Sequence, residues 1–144
     1  MIGANIGVPQ LAVRGTGGSG LDPDAFRMTV RTTGAAETFT IPCQNVGTFN
    51  ATVDWGDGSA SAITAYNDAD LAHEYAVAGD YRISVTGTFP NIYFFNTGTS
   101  KDKVISVDNL GAVGWETFDY AFWGCSNMTS FTAGTCDTTG IDSL

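Results

Sequence analysis

The chain is short of charge, and above all of positive charge. Of its 144 residues only 6 are Lys or Arg, against 15 Asp or Glu, which gives a formal net charge of −9. A protein that binds the phosphate backbone of nucleic acid needs Lys and Arg to displace counterions, and anionic membrane surfaces attract the same residues. The composition therefore argues against nucleic acid and against anionic membranes as partners.

Long apolar runs are also missing. No stretch of the sequence approaches the roughly 20 consecutive apolar residues of a membrane-spanning helix, so we expect no membrane insertion. Residues 1–10 lack the basic start and the continuous apolar segment of a secretory signal peptide. On this ground we expect a protein that is made in a cytoplasm and is not exported by such a signal.

Cysteine and histidine are scarce. Cys43, Cys125 and Cys136 form no Cys-x-x-Cys pair, so the sequence predicts no zinc site. Cys125 and Cys136 would be able to pair in an oxidising setting, but we favour three small buried thiols. His73 is the only histidine, and no Gly-x-Ser-x-Gly elbow supplies it with a nucleophile. We expect no enzymatic activity and no cofactor.

Glycine is abundant, and apolar residues recur at every second position. The chain has 18 glycines and is 43% hydrophobic. Apolar and polar side chains alternate over 26–31, 39–43, 49–55 and 81–85. Alternation of this kind, interrupted by glycine-containing turns, is typical of short antiparallel strands. The sequence therefore predicts an all-β fold, an antiparallel sandwich.

Residues 1–24 precede this alternation, and we predict that they form a flexible N-terminal arm. The arm contains the glycine-rich run 15–20, which is typical of a flexible linker. It also carries an apolar patch that is too small to fold alone, formed by Ile6, Val8, Leu11 and Val13. Two interpretations stay open, a frayed terminus and a peptide that docks on a neighbouring subunit.

The sharpest motif is Val-Asp-Trp-Gly-Asp-Gly-Ser over 53–59, followed by His-Glu-Tyr over 73–75 and Gly-Asp-Tyr over 79–81. Its first part predicts a strand that runs into a tight turn. The motif residues are Asp54, Trp55, Gly56, Asp57, Gly58, His73, Tyr75, Gly79 and Tyr81. Over about residues 36–88 the chain resembles the polycystic-kidney-disease-type (PKD-like) β-sandwich. The resemblance implies an immunoglobulin-like sandwich, which we place at 25–89, with a structural histidine and a spacer or adhesive role without catalysis.

A second resemblance covers the C-terminal part of the chain. The segment 121–131, Ala-Phe-Trp-Gly-Cys-Ser-Asn-Met-Thr-Ser-Phe, is similar to the repeat of BspA-like leucine-rich surface proteins, with Met128 where Leu is usual. Residues 128–131 also echo 105–107 at an offset of about 24 residues, which lies within the period of leucine-rich repeats. We predict that 90–144 begins such a repeat region. Two interpretations stay open beyond Leu144, a longer natural chain and a longer ordered array.

Three aspartates have competing interpretations. Asp54, Asp57 and Asp80 carry the oxygen ligands that calcium takes, but their spacing matches no EF-hand and turn chemistry explains the same residues. We predict no metal site and keep calcium as the alternative. A pair of catalytic carboxylates would have to face each other across a cleft, which two residues of one turn do not do.

An aromatic cluster occupies residues 115–123. We favour a hydrophobic seam between the sandwich and the repeat region, because large aromatic side chains dominate burial in small domains. The alternative is an outward binding surface formed by Trp115, Tyr120 and Trp123.

A PKD-like module that leads into BspA-like repeats looks like the arrangement in some predicted phage virion proteins. We therefore expect a structural or adhesive protein of the virion surface, such as a head decoration protein, head fibre or tail fibre. Its arm would dock on the particle and its C-terminal part would project outward. The expected partners are other virion proteins, further copies of the chain, and a host cell-surface glycan or protein. Two alternatives remain, a fragment of a bacterial surface adhesin and a carbohydrate-binding accessory module of a secreted enzyme.

Overall fold

A computed structural model describes residues 20–141, and these are built almost wholly of strands and turns. The strands are Phe26–Thr32 (β1), Glu37–Thr40 (β2), Asn50–Asp54 (β3), Ala60–Ile63 (β4), Ala72–Tyr75 (β5), Gly79–Thr88 (β6), Val104–Asn109 (β7) and Ser130–Phe131 (β8). Short 3₁₀ turns, Ala69–Leu71 and Ser100–Lys103, precede β5 and β7. The predicted all-β class is confirmed. The apolar residues of the arm, Ile6, Val8, Leu11 and Val13, lie outside the described residues.

The strands form two sheets. The larger has the order β4-β3-β6-β1-β7-β8, and the smaller pairs β2 with β5. Every pairing from β4 across to β7 is antiparallel, whereas β7 and β8 are parallel. The prediction of a purely antiparallel fold is therefore corrected, because the large sheet is open and mixed. Parallel neighbours require a crossover connection, and residues 110–129 supply it.

Alternation is the physical reason that these segments are strands. Along β1 the side chains of Phe26, Met28 and Val30 are buried, while those between them are half-buried. In the small sheet Phe39 and Tyr75 are buried as well. All five side chains belong to one hydrophobic core that lies between the two sheets. This arrangement is compatible with a β-sandwich.

The core continues past residue 89, where the sequence predicts a domain boundary. Phe89, Ile92 and Phe94 follow β6 and are fully buried, although none of them belongs to a strand. Further along the chain, the Trp115 ring packs edge to face against Phe26 of β1, with ring centroids 5.2 Å apart. The antiparallel strands and the C-terminal segment therefore share one core.

The parallel pairing of β7 with β8 has a register of 24 residues. Val107 lies beside Phe131, and 131 minus 107 is 24. Beyond these strands, Gly111 makes an isolated parallel bridge with Cys136. Residues that are 24 positions apart in the sequence are thus neighbours in the sheet, because the chain makes one circuit between β7 and β8.

The cysteines are free thiols, of which Cys125 is buried and Cys43 and Cys136 are half-buried. Burial raises the pKa of Cys43 to about 12 and that of Cys125 to about 11. Both thiols are therefore protonated and unreactive at neutral pH. No helix among residues 20–141 has the length and apolarity needed to cross a membrane.

Candidate functional site

The turn between β3 and β4 carries the sharpest sequence motif. The Trp55 N–H donates to the Ser59 carbonyl at 3.0 Å, and the Asp54 carboxylate accepts from the Gly56 N–H at 2.9 Å. Gly56 has a φ of +82°, and a Cβ added there would lie 2.5 Å from the Arg82 carbonyl oxygen. Only glycine fits this position, because the backbone is left-handed and β6 passes directly against it.

The other two glycines of the motif have different roles. Gly58 has a φ of +96°, but nothing lies within 4 Å of an added Cβ. Gly79 begins β6 opposite Thr32 of β1, and a Cβ there would be in ordinary contact with the Tyr81 ring at 3.5 Å. Gly58 therefore supplies backbone conformation, whereas Gly79 lies under an aromatic ring.

Asp57, Ser59 and His73 meet at this turn. His73 Nε2 donates to Asp57 Oδ2 at 2.7 Å, while the hydroxyl and the backbone N–H of Ser59 donate to Asp57 Oδ1 at 2.5 and 3.0 Å. Burial by itself raises the pKa of Asp57, but the hydrogen bonds from Ser59 and His73 outweigh it and hold this pKa at about 2. The carboxylate is therefore a fixed, ionised acceptor that organises the turn.

These residue types also occur in serine hydrolases, but their arrangement differs from a catalytic triad. In a triad the acid and the serine bond to opposite nitrogens of the imidazole. In this chain Nε2 carries the proton that it donates to Asp57, and Ser59 Oγ lies 3.4 Å from that same nitrogen. The Ser59 hydroxyl is itself committed to Asp57. No base therefore faces the hydroxyl, and the cluster stabilises a turn without activating a nucleophile.

Aromatic rings hold His73 in place. Its imidazole stacks on Trp55 with centroids 4.8 Å apart and meets the Tyr75 ring edge to face at 4.7 Å. Tyr75 in turn stacks on Tyr81 at 4.0 Å, and its buried hydroxyl donates to the Trp55 carbonyl at 2.8 Å. Burial also raises the pKa of Tyr75. The motif residues therefore form one interlocked structural unit.

The three aspartates considered for calcium do not converge. Asp80 accepts two hydrogen bonds from Arg31 across the β1–β6 pair, at 2.6 and 2.7 Å. The strand partner of Asp54 is Ser84, which lies about 13 Å along β6 from Asp80 at the usual rise per residue. Among residues 20–141 no group of three or more His, Cys, Asp or Glu is placed to hold a metal ion. The calcium alternative therefore has no common site at Asp54, Asp57 and Asp80.

A second candidate site is an exposed aromatic patch, formed by Tyr93, Phe95, Tyr120 and Trp123. Phe95, Tyr120 and Trp123 are 38, 53 and 50% exposed. The Phe95 ring stacks on Tyr93 at 5.1 Å and meets Tyr120 and Trp123 edge to face at 5.0 and 5.3 Å. Contiguous exposed apolar side chains of this kind mark interaction sites.

The backbone holds the aromatic patch in place. The Phe95 N–H donates to the Tyr120 carbonyl at 3.2 Å, and the Asn96 N–H donates to the Trp123 carbonyl at 2.8 Å. Phe95, Asn96 and Tyr120 have φ values of 48°, 53° and 53°, a region that non-glycine residues enter at a cost in free energy. Gly124 allows the two segments to approach, since a Cβ there would lie 2.7 Å from Asn96 Cα. Main-chain bonds thus set the backbone positions of Phe95, Tyr120 and Trp123, and the rings themselves contact one another.

Sequence reasoning located only part of this patch. Tyr120 and Trp123 are exposed, as the alternative of an outward surface expects, whereas Trp115 is 1% exposed and lies in the core against Phe26, as the favoured hydrophobic seam expects. Phe95 was not predicted, because it ends an apolar run in which Phe94 is buried. No residue type in the run marks the left-handed backbone that separates the two.

An open apolar groove of about 240 Å³ lies beside β8. It is lined by Leu110, Phe118, Ala121, Phe122 and Phe131. Phe131 is 51% exposed, and β8 has no strand partner on its outer side among the described residues. A free strand edge next to an apolar groove is able to accept a further strand.

The positive side chains of residues 20–141 all have partners. Arg27 donates to a main-chain carbonyl, and the others form the ion pairs Arg31–Asp80, Arg82–Asp108, Lys101–Asp102 and Lys103–Glu37. Four of the five Lys and Arg side chains of residues 20–141 are therefore paired with a carboxylate, and Arg27 is bonded to a neutral carbonyl.

No protein family, curated protein or solved structure matches this chain.

Proposed function

We propose that the chain is a non-catalytic structural and adhesive module on the surface of a phage particle, as a head decoration protein, head fibre or tail fibre. The observation that carries this proposal is one continuous sheet, in which the antiparallel strands from β4 to β7 lead into the parallel strand β8. Both parts share one core. A sheet of this kind joins the antiparallel part and the repeat-like part of the chain without a flexible linker between them. This suits a spacer that holds a binding surface at a distance from the particle.

The motif geometry supports a PKD-like sandwich without catalysis. The side chains best suited to acid–base or nucleophilic chemistry are Asp57, Ser59 and His73. Ser59 and His73 both donate hydrogen bonds to Asp57 in the β3–β4 turn. The Tyr75 hydroxyl is bonded to the main chain in the core. These groups are therefore committed to the internal structure of the module.

The register of β7 and β8 supports BspA-like leucine-rich repeats. In a solenoid each circuit adds a parallel strand beside the preceding one, so that equivalent residues of successive repeats become neighbours. Val107 and Phe131 are neighbours of this kind. The Thr129 N–H also donates to the Ile105 carbonyl at 2.9 Å, again 24 positions apart (129 minus 105). Two circuits of a repeat array would stack in this way.

The virion location rests on the resemblance of this module order to that of phage virion proteins. In the proposal, residues 1–24 dock on other virion proteins or on a second copy of the chain through Ile6, Val8, Leu11 and Val13. The sandwich and the repeat region stand above this anchor. The negative net charge of −9 is consistent with a surface that does not bind the packaged nucleic acid.

Immunogold labelling tests the location. An antibody against the purified protein should decorate the head or tail of particles produced by the phage that encodes the chain. Label on uninfected bacterial surfaces would instead support the adhesin alternative and contradict the proposal. Deleting residues 2–20 should abolish incorporation into particles, measured by quantitative mass spectrometry, while a full-length Tyr66→Ala protein should be incorporated normally. Unchanged occupancy of the deletion variant would refute the role of the arm.

A further inference from the structure

The polar atoms of the aromatic patch are used differently from those of buried aromatic residues. In the core the Trp55 and Trp115 indoles and the Tyr75 hydroxyl all donate to protein acceptors, at 2.8 to 3.0 Å. By contrast, the hydroxyls of Tyr93 and Tyr120 and the indole N–H of Trp123 bond to nothing within residues 20–141. The exposed rings of Tyr120 and Trp123 therefore each offer apolar surface together with a free hydrogen-bonding group, and Tyr93 adds a free hydroxyl.

Asn96 adds a polar group to the margin of the patch. Its backbone bonds to Trp123, and its side chain lies against Gly124. In the described part of the chain its carboxamide makes no hydrogen bond, so a donor and an acceptor are both available. Apolar ring faces bordered by such groups match a ligand that has C–H groups on its faces and hydroxyls at its edges.

We infer that the aromatic patch is a binding site for a neutral, pyranose-containing glycan. The rings of Tyr120 and Trp123 stack on the C–H faces of the sugars, and Asn96 and the free aromatic N–H and O–H groups bond to the hydroxyls. The inference deepens the proposed function and rests on it, since it names what an adhesive module on a particle would hold.

Charge selects neutral over acidic glycans. The chain carries a net charge of −9, and Glu116 and Asp119 lie in the same segment as Tyr120. Four of the five Lys and Arg side chains of residues 20–141 already pair with a carboxylate, and Arg27 in β1 bonds to a main-chain carbonyl. A uronate or sialate would therefore be repelled by the net charge and would have to compete for a cation that already has a partner.

The size of the patch favours a small ligand over a protein surface. Four side chains form it, whereas a standard protein interface takes roughly 20–30 residues from each partner. The main-chain bonds from the Phe95 N–H to the Tyr120 carbonyl and from the Asn96 N–H to the Trp123 carbonyl set the backbone positions of three of the four rings before any ligand arrives. Preorganisation of this kind lowers the entropy cost of binding, which a weakly binding sugar needs most.

Native affinity electrophoresis in gels that contain a polysaccharide provides the test. The neutral probes are laminarin, mannan and hydroxyethylcellulose, and alginate is the acidic probe. We expect a neutral probe to retard the full chain, and Trp123→Ala and Tyr120→Ala to weaken this binding about tenfold or more. Tyr66→Ala is the matched control, because Tyr66 is also exposed, at 37%, but lies outside the patch, and it should bind normally.

Tryptophan fluorescence gives an independent readout. Of the three tryptophans only Trp123 is exposed, at 50%, while Trp55 and Trp115 are at 0 and 1%. Acrylamide should therefore quench mainly Trp123, and the bound neutral glycan should protect it. In a Trp123→Phe variant the quenchable fraction and its protection should both disappear.

Several results would overturn the inference. These are retardation by no neutral probe, retardation by alginate alone, and equal effects of Trp123→Ala and Tyr66→Ala. The virion assay is read separately. A protein that labels particles but binds no glycan refutes only this inference, and one that binds glycan but labels no particle refutes only the virion location.

Discussion

At the scale of single residues, burial decides how much a hydrogen bond contributes. The Tyr75 hydroxyl donates to the Trp55 carbonyl inside the core, whereas the Tyr81 hydroxyl donates to the Val77 carbonyl at the surface. Tyr75→Phe leaves a buried acceptor without this donor, so the free energy of unfolding should fall by about 1–2 kcal/mol. Tyr81→Phe leaves the Val77 carbonyl free to bond to water, so the free energy of unfolding should fall by less than about 0.5 kcal/mol. Urea denaturation measures both variants, and equal losses would contradict the assignment of Tyr75 to the core.

Asp57 gives the turn a dependence on pH. Its pKa is about 2 in the folded chain against an ordinary value of 3.8, so its stabilising effect is complete above about pH 4 and is lost as the pH falls towards 2. Asp57→Asn removes the carboxylate, so the stability difference between wild type and variant should be larger at pH 6 than at pH 2.5.

Thermal unfolding at the two pH values checks this expectation. The effect will be moderate, because the Asp57 side chain is 24% exposed and solvent screens it. Ser59→Ala, which removes one of the donors to Asp57, should reproduce part of the change. A difference that is independent of pH would show that the Asp57 carboxylate has no special environment.

Residue-scale prediction from sequence succeeds where the cause is local. The Asp-Trp-Gly-Asp-Gly-Ser turn is stabilised by its own glycines and by hydrogen bonds between residues two apart, such as that from the Gly56 N–H to the Asp54 carboxylate. The local sequence is therefore enough to predict the turn. The solvent exposure of Trp115 and Trp123, by contrast, is not determined by the local sequence. Both lie in one aromatic cluster, but Trp115 also packs against Phe26 of a distant strand, which the cluster itself does not reveal.

At the scale of elements, the backbone just after β7 packs closely against the residues that precede β1, and Gly111 lies at this contact. This residue has a φ of +73°, and an added Cβ would lie 2.5 Å from the Ala25 carbonyl carbon. Gly98 has a similar φ of +69°, but nothing lies within 4 Å of its Cβ position. Gly98→Ala should therefore cost only the conformational penalty of about 1 kcal/mol. Gly111→Ala should cost clearly more, at least about 2 kcal/mol.

Chemical denaturation of the two glycine variants separates the conformational cost of the substitution from its steric cost. The difference between them is the steric cost of moving residues 24–25 away from the end of β7. If Gly98→Ala and Gly111→Ala were equally stable, the close approach at Gly111 would be disproved.

Strand prediction at this scale relied on alternation. The alternating runs at 26–31, 49–55 and 81–85 correspond to β1, β3 and β6, whereas the run at 39–43 overlaps β2 only at its first two residues, since β2 ends at Thr40. β8 has only two residues, both exposed, so no alternation marks it. Its parallel direction comes from the circuit of residues 110–129, and only the echo at an offset of 24 residues indicated it.

At the scale of the whole molecule, a shared core predicts one cooperative unfolding unit. β1 bonds to both β6 and β7, and Phe26 of β1 packs on Trp115 of the C-terminal segment. Neither part buries its apolar surface without the other, so neither should remain folded alone. Trp55 lies beside the β3–β4 turn and Trp115 beyond β7, and both are fully buried, so each reports on one part.

Two variants that keep a single tryptophan test this unity. One carries Trp115→Phe and Trp123→Phe and retains Trp55, and the other carries Trp55→Phe and Trp123→Phe and retains Trp115. In each variant the fluorescence transition in urea should coincide with the transition in far-ultraviolet circular dichroism, which follows all strands together. Each protein is thus its own control for the stability lost by substitution. A Trp115 transition that precedes the loss of the strands would instead mean that the C-terminal segment detaches as a separate unit, and the continuous sheet would then not act as the rigid spacer on which the proposed function depends.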